Sequence, residues 1–175
     1  HNSQFIMKVS KILIRNFTAT PLRNKLLSYE MTGNPNAPRT AVFLHGIVGS
    51  KRNWRTPSQQ LVQKYPQFKT LSVDHRGHGD SHNHCDDHSI EKCAKDLKIL
   101  FNHLNITPSI LCGHSFGGKV ALTYISNQIK TNQPIPKNTW IIDSIPGLHD
   151  TQIQSDNNQS VQKVFHALEV LPKVF

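Results

Sequence analysis

Ser115 stands at the centre of Gly113-His114-Ser115-Phe116-Gly117, a Gly-x-Ser-x-Gly pattern whose chemistry is attack by an activated hydroxyl. The apolar run Ser109-Ile110-Leu111-Cys112 precedes it, and a helical pattern from Lys119 to Ile129 follows. The serine therefore falls between a predicted strand and a predicted helix, the context that this chemistry requires. So tight a turn forces its central residue into strained, positive-φ geometry, and the residues two before and two after must be small. Gly113 and Gly117 meet that demand, and Gly118 relaxes it further. The hydroxyl then emerges at a helix N-terminus, where a developing anion is stabilised. A glycine-rich loop with an incidental serine is the plainer alternative; the strand before and the helix after favour the nucleophile.

A second turn, His45-Gly46-Ile47-Val48-Gly49, follows the apolar run Ala41-Val42-Phe43-Leu44. A backbone N–H from this turn, Ile47 by position, can pair with that of Phe116 to form an oxyanion hole. His82-Asn83-His84-Cys85-Asp86-Asp87-His88 gathers metal-ligand types, but in one short polar loop with no second ligand pair at a recognisable distance. A solvated loop is the better reading, and we expect no metal and no organic cofactor.

The elements that must position these residues alternate along the chain. Strands are expected at Lys25–Glu30, Ala41–Leu44, Thr70–Val73, Ser109–Cys112 and Thr139–Ile142, and helices at Ser58–Tyr65, Ser89–Leu104 and Lys119–Ile129. The helix from Ser89 is the clearest, because Ile90, Cys93, Ala94, Leu97, Leu100, Phe101 and Leu104 share one face. Asp87 or Ser89 could cap it. A further helix is expected from Ser160, with Val161, Val164, Phe165, Leu168 and Leu171 on one side and Pro172 ending it. Strands alternating with helices mean a mostly parallel sheet covered on both faces, an α/β architecture whose chemistry lies at the carboxyl ends of the strands. Those ends carry His45-Gly46, Asp74, Gly113-His114-Ser115 and Asp143.

Composition narrows the function classes. The chain has 175 residues, 37% apolar and 18% charged, with a formal net charge of +9, which is globular and long enough for one cored domain. No apolar run approaches the roughly 18 residues of a membrane-spanning helix. Three cysteines, Cys85, Cys93 and Cys112, do not make a disulfide framework. The basic excess lacks an aromatic-interleaved or zinc-finger motif, so nucleic acid is not an expected partner. Before Glu30 there is no acidic residue, while Lys8, Lys11, Arg15, Arg23 and Lys25 are basic. That is the composition of a mitochondrial transit segment, with a basic surface strand in a cytoplasmic protein as the alternative.

Phe43-Leu44-His45-Gly46, Asp74-His75-Arg76-Gly77-His78-Gly79-Asp80-Ser81 and Gly113-His114-Ser115-Phe116-Gly117-Gly118-Lys119 follow one another as in the α/β-hydrolase fold, which the chain resembles over roughly residues 25 to 175. Gly46-Ile47-Val48-Gly49-Ser50-Lys51-Arg52-Asn53-Trp54 and Trp140-Ile141-Ile142-Asp143-Ser144-Ile145-Pro146-Gly147 are similar to the esterase-like group typified by abhydrolase domain-containing protein 11. The resemblance implies a serine esterase or thioesterase acting on a small or lipid-like substrate. Ser115 would attack, a histidine held by an acid would take its proton, and Ile47 and Phe116 would hold the oxyanion. His45, Gly46, Gly113, His114 and Gly117 would form the scaffold of the site. Asp74 and Arg76 would be scaffold rather than catalytic, with Arg76 on a substrate carboxylate as the lesser option.

The family's order is Ser, acid, His, with the histidine late. A helical cap and two more strands are expected before it, so the base and the fold's remaining strands are expected beyond Phe175. This division gives a basic segment 1–24, a hydrolase core 25–147 and the start of a cap 148–175. Asp143 is the best acid within this chain by place and order; a strand-end aspartate capping a loop is the alternative. His149 and His166 are expected on a loop and on the cap helix, and His114 is expected to pack beside the nucleophile rather than act as base. A non-catalytic binding or scaffold protein on the same fold is the competing function. Oligomeric state is not legible.

Overall fold

The computed structural model describes residues 26–82 and 87–144. The segment 1–24, residues 83–86 of the polar loop, His149, His166 and the helix expected from Ser160 lie outside the described residues.

The described chain runs β1 (Tyr29–Gly33), β2 (Arg39–Leu44), α1 (Arg55–Lys64), β3 (Phe68–Val73), α2 (Ile90–Leu104), β4 (Ile110–His114), α3 (Phe116–Lys130) and β5 (Asn138–Ile142). Short 3₁₀ turns cover Lys51–Trp54 and Gly79–Ser81. The strands form one sheet in the order β1-β3-β2-β4-β5. β1 is antiparallel to β3, and every other pairing is parallel. Leu44 lies opposite both Val73 and Gly113, and His114 lies opposite Ile142. That register brings the carboxyl ends of β2, β3, β4 and β5 to one edge, and the residues that follow them with it.

The sheet is covered on both faces, as a parallel sheet must be. On one face Val42, Leu44, Leu71, Val73 and Leu111 meet Leu97, Leu100 and Phe101 of α2 and Val120, Ala121 and Ile125 of α3. Phe101 and Tyr124 close the α2–α3 contact edge to face, with ring centroids 5.3 Å apart. On the other face Ala41, Phe43 and Cys112 pack with Trp54, Leu61 and Phe68. Each fully buried leucine here contributes about 2 kcal/mol. Burial pushes the thiols of Cys93 and Cys112 up to about 11, so both behave as small apolar side chains.

Of the expected element starts, three move furthest. Among the described residues the first strand starts at Tyr29, later than expected, because Ser28 bonds instead to the loop after β3. Its N–H donates to Ser81 Oγ at 2.8 Å, and its carbonyl accepts the Asp74 N–H at 2.9 Å. The helix expected from Ser58 starts at Arg55, because Pro57 falls in the first turn, where a missing N–H costs nothing. The helix expected from Lys119 starts at Phe116; two glycines in its first turn hide the start. At α2, Asp87 organises the entry by accepting the Ser89 N–H at 2.8 Å, and Asn105 ends the helix in the left-handed conformation.

Candidate active site

Ser115 links β4 to α3 with φ 50° and ψ −115°, a backbone conformation that costs a non-glycine residue about 1–3 kcal/mol. The conformation is held from both sides. The Ser115 N–H donates to Ile142 O at 2.8 Å, and its carbonyl accepts the Gly118 N–H at 2.9 Å. The small neighbours are sterically required. A Cβ on Gly117 would stand 2.6 Å from the carbonyl oxygens of Leu44 and His45, and one on Gly113 would collide with the Gly117 carbonyl. Phe116 opens α3, and its N–H is among the first-turn donors that have no intrahelical acceptor.

Gly46 lies directly against this turn: a Cβ there would stand 3.0 Å from His114 Nδ1 and 3.4 Å from Ser115 Cβ. The Gly46 carbonyl is pinned twice, by the Gly49 N–H at 2.9 Å and by His45 Nδ1 at 2.7 Å. The His75 backbone N–H donates to His45 Nε2 at 3.1 Å. Nε2 is therefore unprotonated, and Nδ1 carries the hydrogen that Gly46 accepts. Every peptide bond among the described residues is trans, so the Ile47 N–H is directed away from the pinned carbonyl. Burial lowers the His45 pKa, the Gly46 hydrogen bond opposing it. Burial lowers that of His75 to about 3, helped by the neighbouring His45 and His78. Both shifts favour a neutral ring, and for His45 the hydrogen-bond pattern requires one.

The turn ends at a buried ammonium. Lys51 Nζ donates to Asp74 Oδ2 at 2.6 Å, Asp80 Oδ2 at 2.5 Å and Ser28 Oγ at 3.0 Å, which uses all three of its hydrogens. Asp74 also accepts the Lys51 N–H at 2.6 Å and the Asp80 N–H at 3.0 Å. Burial opposes the charge on Lys51, but hydrogen bonds to the two carboxylates override it and raise the pKa. Arg76 directs a two-pronged fork at Asp96, at 2.7 and 2.8 Å, and gives a third hydrogen bond to Asp87 O at 2.7 Å. The Asp96 hydrogen bonds raise its pKa, and the fork is fully committed within the protein.

Comparison with known proteins agrees with the fold. The model of the alpha/beta hydrolase fold family matches residues 41–140. The chain belongs to the α/β-hydrolase fold family. It is 41% identical over 101 residues to the sn-1-specific diacylglycerol lipase ABHD11 of Mus musculus, covering 58% of this chain and 32% of that one. It is 38% identical over 90 residues to the 2-succinyl-6-hydroxy-2,4-cyclohexadiene-1-carboxylate synthase of Citrobacter koseri, covering 51% and 33%. Among solved structures, a marine microorganism esterase superposes with a TM-score of 0.62 at 30% identity, over 83% of this chain and 51% of that one. The chain spans about a third of the length of these curated relatives.

On this α/β-hydrolase frame the sequence-expected residues fall in several places. Gly113, His114, Ser115, Phe116, Gly117, His45 and Gly46 meet around one turn. Asp74 and Arg76 are tied to Lys51 and Asp96. Asp143 follows β5 with φ 50°, and its carboxylate lies 3.7 Å from His114 Nε2 with both side chains open to solvent. Among the described residues no three His, Cys, Asp or Glu side chains converge as a metal site would require; Asn83, His84, Cys85 and Asp86 lie outside them. No helix of the described residues is long and apolar enough to cross a membrane.

Sequence reasoning gave no role to Lys51, His75, His78 or Asp96. Asp96 had a signal: it lies between Cys93 and Leu97 on the buried stripe of α2, where a carboxylate needs a partner.

Proposed function

We propose that this α/β-hydrolase chain carries the nucleophile and the oxyanion-binding half of a serine hydrolase acting on carboxylic ester or thioester bonds. Ser115 Oγ attacks the carbonyl carbon, and the N–H groups of Ile47 and Phe116 receive the charge that builds on the carbonyl oxygen. Asp143 is the acid that orients the base, and the base is a histidine outside the described residues. The observation that carries this reading is the strained backbone of Ser115 at the start of α3, with Gly46 packed against it. A serine held in that conformation at a structural cost fits a residue whose hydroxyl must be presented to a substrate.

The name of the mouse relative, a diacylglycerol lipase, supports a lipid-like ester. The acid-free, basic stretch before Glu30 supports a mitochondrial address, with the cytoplasm as the alternative. The test uses the full natural chain. Wild type should hydrolyse p-nitrophenyl butyrate or a short diacylglycerol and be labelled by a fluorophosphonate. Ser115→Ala should lose both, turnover by at least about 10⁴-fold, with an unchanged melting temperature. Turnover that persists in the variant removes Ser115 as nucleophile.

The alternative, a non-catalytic binding protein on the same fold, draws on β5, which leaves Trp140 and Ile142 exposed. It expects no labelling of Ser115.

A further inference from the structure

The loop after β3 brings one more side chain to the turn that follows β2. His78 is 31 residues from Ile47, yet its Nε2 is hydrogen-bonded to the Ile47 carbonyl, and its Nδ1 lies 2.9 Å from Arg76 O. Both ring nitrogens thus face acceptors; a neutral ring donates to one carbonyl at a time, an imidazolium to both. The same ring stacks on Phe116 at 6.4 Å and 25°, and tilts against His45 at 5.2 Å. One imidazole therefore touches both residues whose N–H groups are assigned to the oxyanion. Its own backbone is fixed by the loop. The His78 N–H donates to His75 O at 3.0 Å, its carbonyl accepts the Ser81 N–H at 2.8 Å, and Asp80 is anchored on Lys51.

We propose that His78 is a positioning residue for the oxyanion hole, holding the Ile47 carbonyl and thereby the orientation of the Ile47 backbone. His45 fixes the peptide before Ile47 through Gly46 O, and His78 fixes the peptide after it. With both neighbouring peptides clamped, the Ile47 N–H needs no reorganisation when charge develops on the substrate, which is the source of oxyanion-hole catalysis. Ile47 and Val48 need such a clamp, because their own side chains are exposed and supply little packing. This proposal rests on reading Ser115 as nucleophile and Ile47 as oxyanion donor.

The test compares three variants of the full natural chain against p-nitrophenyl butyrate, with fluorophosphonate labelling rate as a second readout. His78→Gln keeps a donor that reaches the Ile47 carbonyl. His78→Asn keeps one only as far as Arg76 O, and His78→Phe keeps the ring on Phe116 with no donor. We expect kcat to fall about 30-fold in the Asn and Phe variants with KM nearly unchanged, and Gln to stay within about threefold of wild type. Loss of a whole oxyanion donor costs about 10²–10³ in kcat, and misalignment should cost less. Equal rates in all three variants, or a Phe variant as active as wild type, overturn the proposal. If the Phe variant does not fold, the Gln–Asn difference decides alone. Ser115→Ala is run in parallel: turnover that survives it refutes the hydrolase reading, whereas turnover lost in Ser115→Ala but unaffected by His78→Asn refutes only the role of His78.

Discussion

On one flank of Ser115 the turn after β2 is backed by buried polar residues in two hydrogen-bonded pairs, His45 with His75 and Lys51 with Asp74. On the other flank, Asp143 follows β5 with a side chain 87% exposed, and its facing His114 is 45% exposed. On the proposed reading, the two flanks would serve different parts of acyl transfer. Oxyanion binding depends on fixed dipoles, which lose their value if they must reorient. The described residues already provide that rigidity. An exposed carboxylate 3.7 Å from an exposed imidazole contributes little in water, about 0–1 kcal/mol. The contrast teaches that one flank is built rigidly into the sheet's own loops, while the other takes little support from the residues described; on the proposed reading the first receives charge and the second handles protons.

The comparison is broken most severely at Lys51. Lys51→Met strands the Asp74 carboxylate, whose side chain is 0% exposed, and should cost about 3–5 kcal/mol in urea denaturation. A loss below about 1 kcal/mol means that the buried pair does not support this flank. Gly117→Ala tests the close approach of α3 to β2. Its Cβ would meet the Leu44 and His45 carbonyls at 2.6 Å, and we expect about 2–3 kcal/mol of destabilisation from backbone displacement; an unchanged melting temperature contradicts the close packing.

Acid sharpens the contrast through His75, whose pKa is lowered by burial to about 3. Above the unfolded-state pKa near 6.5 the ring is neutral in both states and stability is independent of this group. Below that pH the unfolded chain binds a proton that the native chain does not, so stability falls with pH until about 3. From pH 7 to 5 the loss should reach about 2 kcal/mol, and His75→Gln should flatten that slope in urea titrations at the two pH values. The smallest change in stability belongs to the open flank. Asp143→Asn should alter it by no more than about 0.5 kcal/mol, while turnover in the full natural chain falls by about 10³–10⁴ if the carboxylate orients the base. Turnover that stays at the wild-type level removes Asp143 from the triad.

The sheet and its order of elements were legible because periodicity and strand-end residues are local signals. The continuous burial of Val42 to Leu44 in β2 and the apolar stripe of α2 both read directly from spacing. The strand-to-helix turn at Ser115 was legible for a steric reason, since only small residues fit at Gly113 and Gly117. What escaped depends on long-range pairing. Nothing in the spacing of Lys51 and Asp74, 23 residues apart, or of His78 and Ile47, 31 apart, announces that they meet. The first strand was placed too early for the same reason, because Ser28 has its partners in the loop after β3.

The chain contains two tryptophans, and the sheet places them in opposite surroundings. Trp54 stacks on Phe43 at 4.8 Å against the packed face, while Trp140 on β5 is 54% exposed. The molecule should therefore carry its own two-channel optical reporter: a bluer emitter partly shielded from acrylamide at Trp54 and a redder, more quenchable one at Trp140, beside Asp143. Any strand, partner or lipid that covers β5 would be registered by the second channel while the first stays constant, without a label being added.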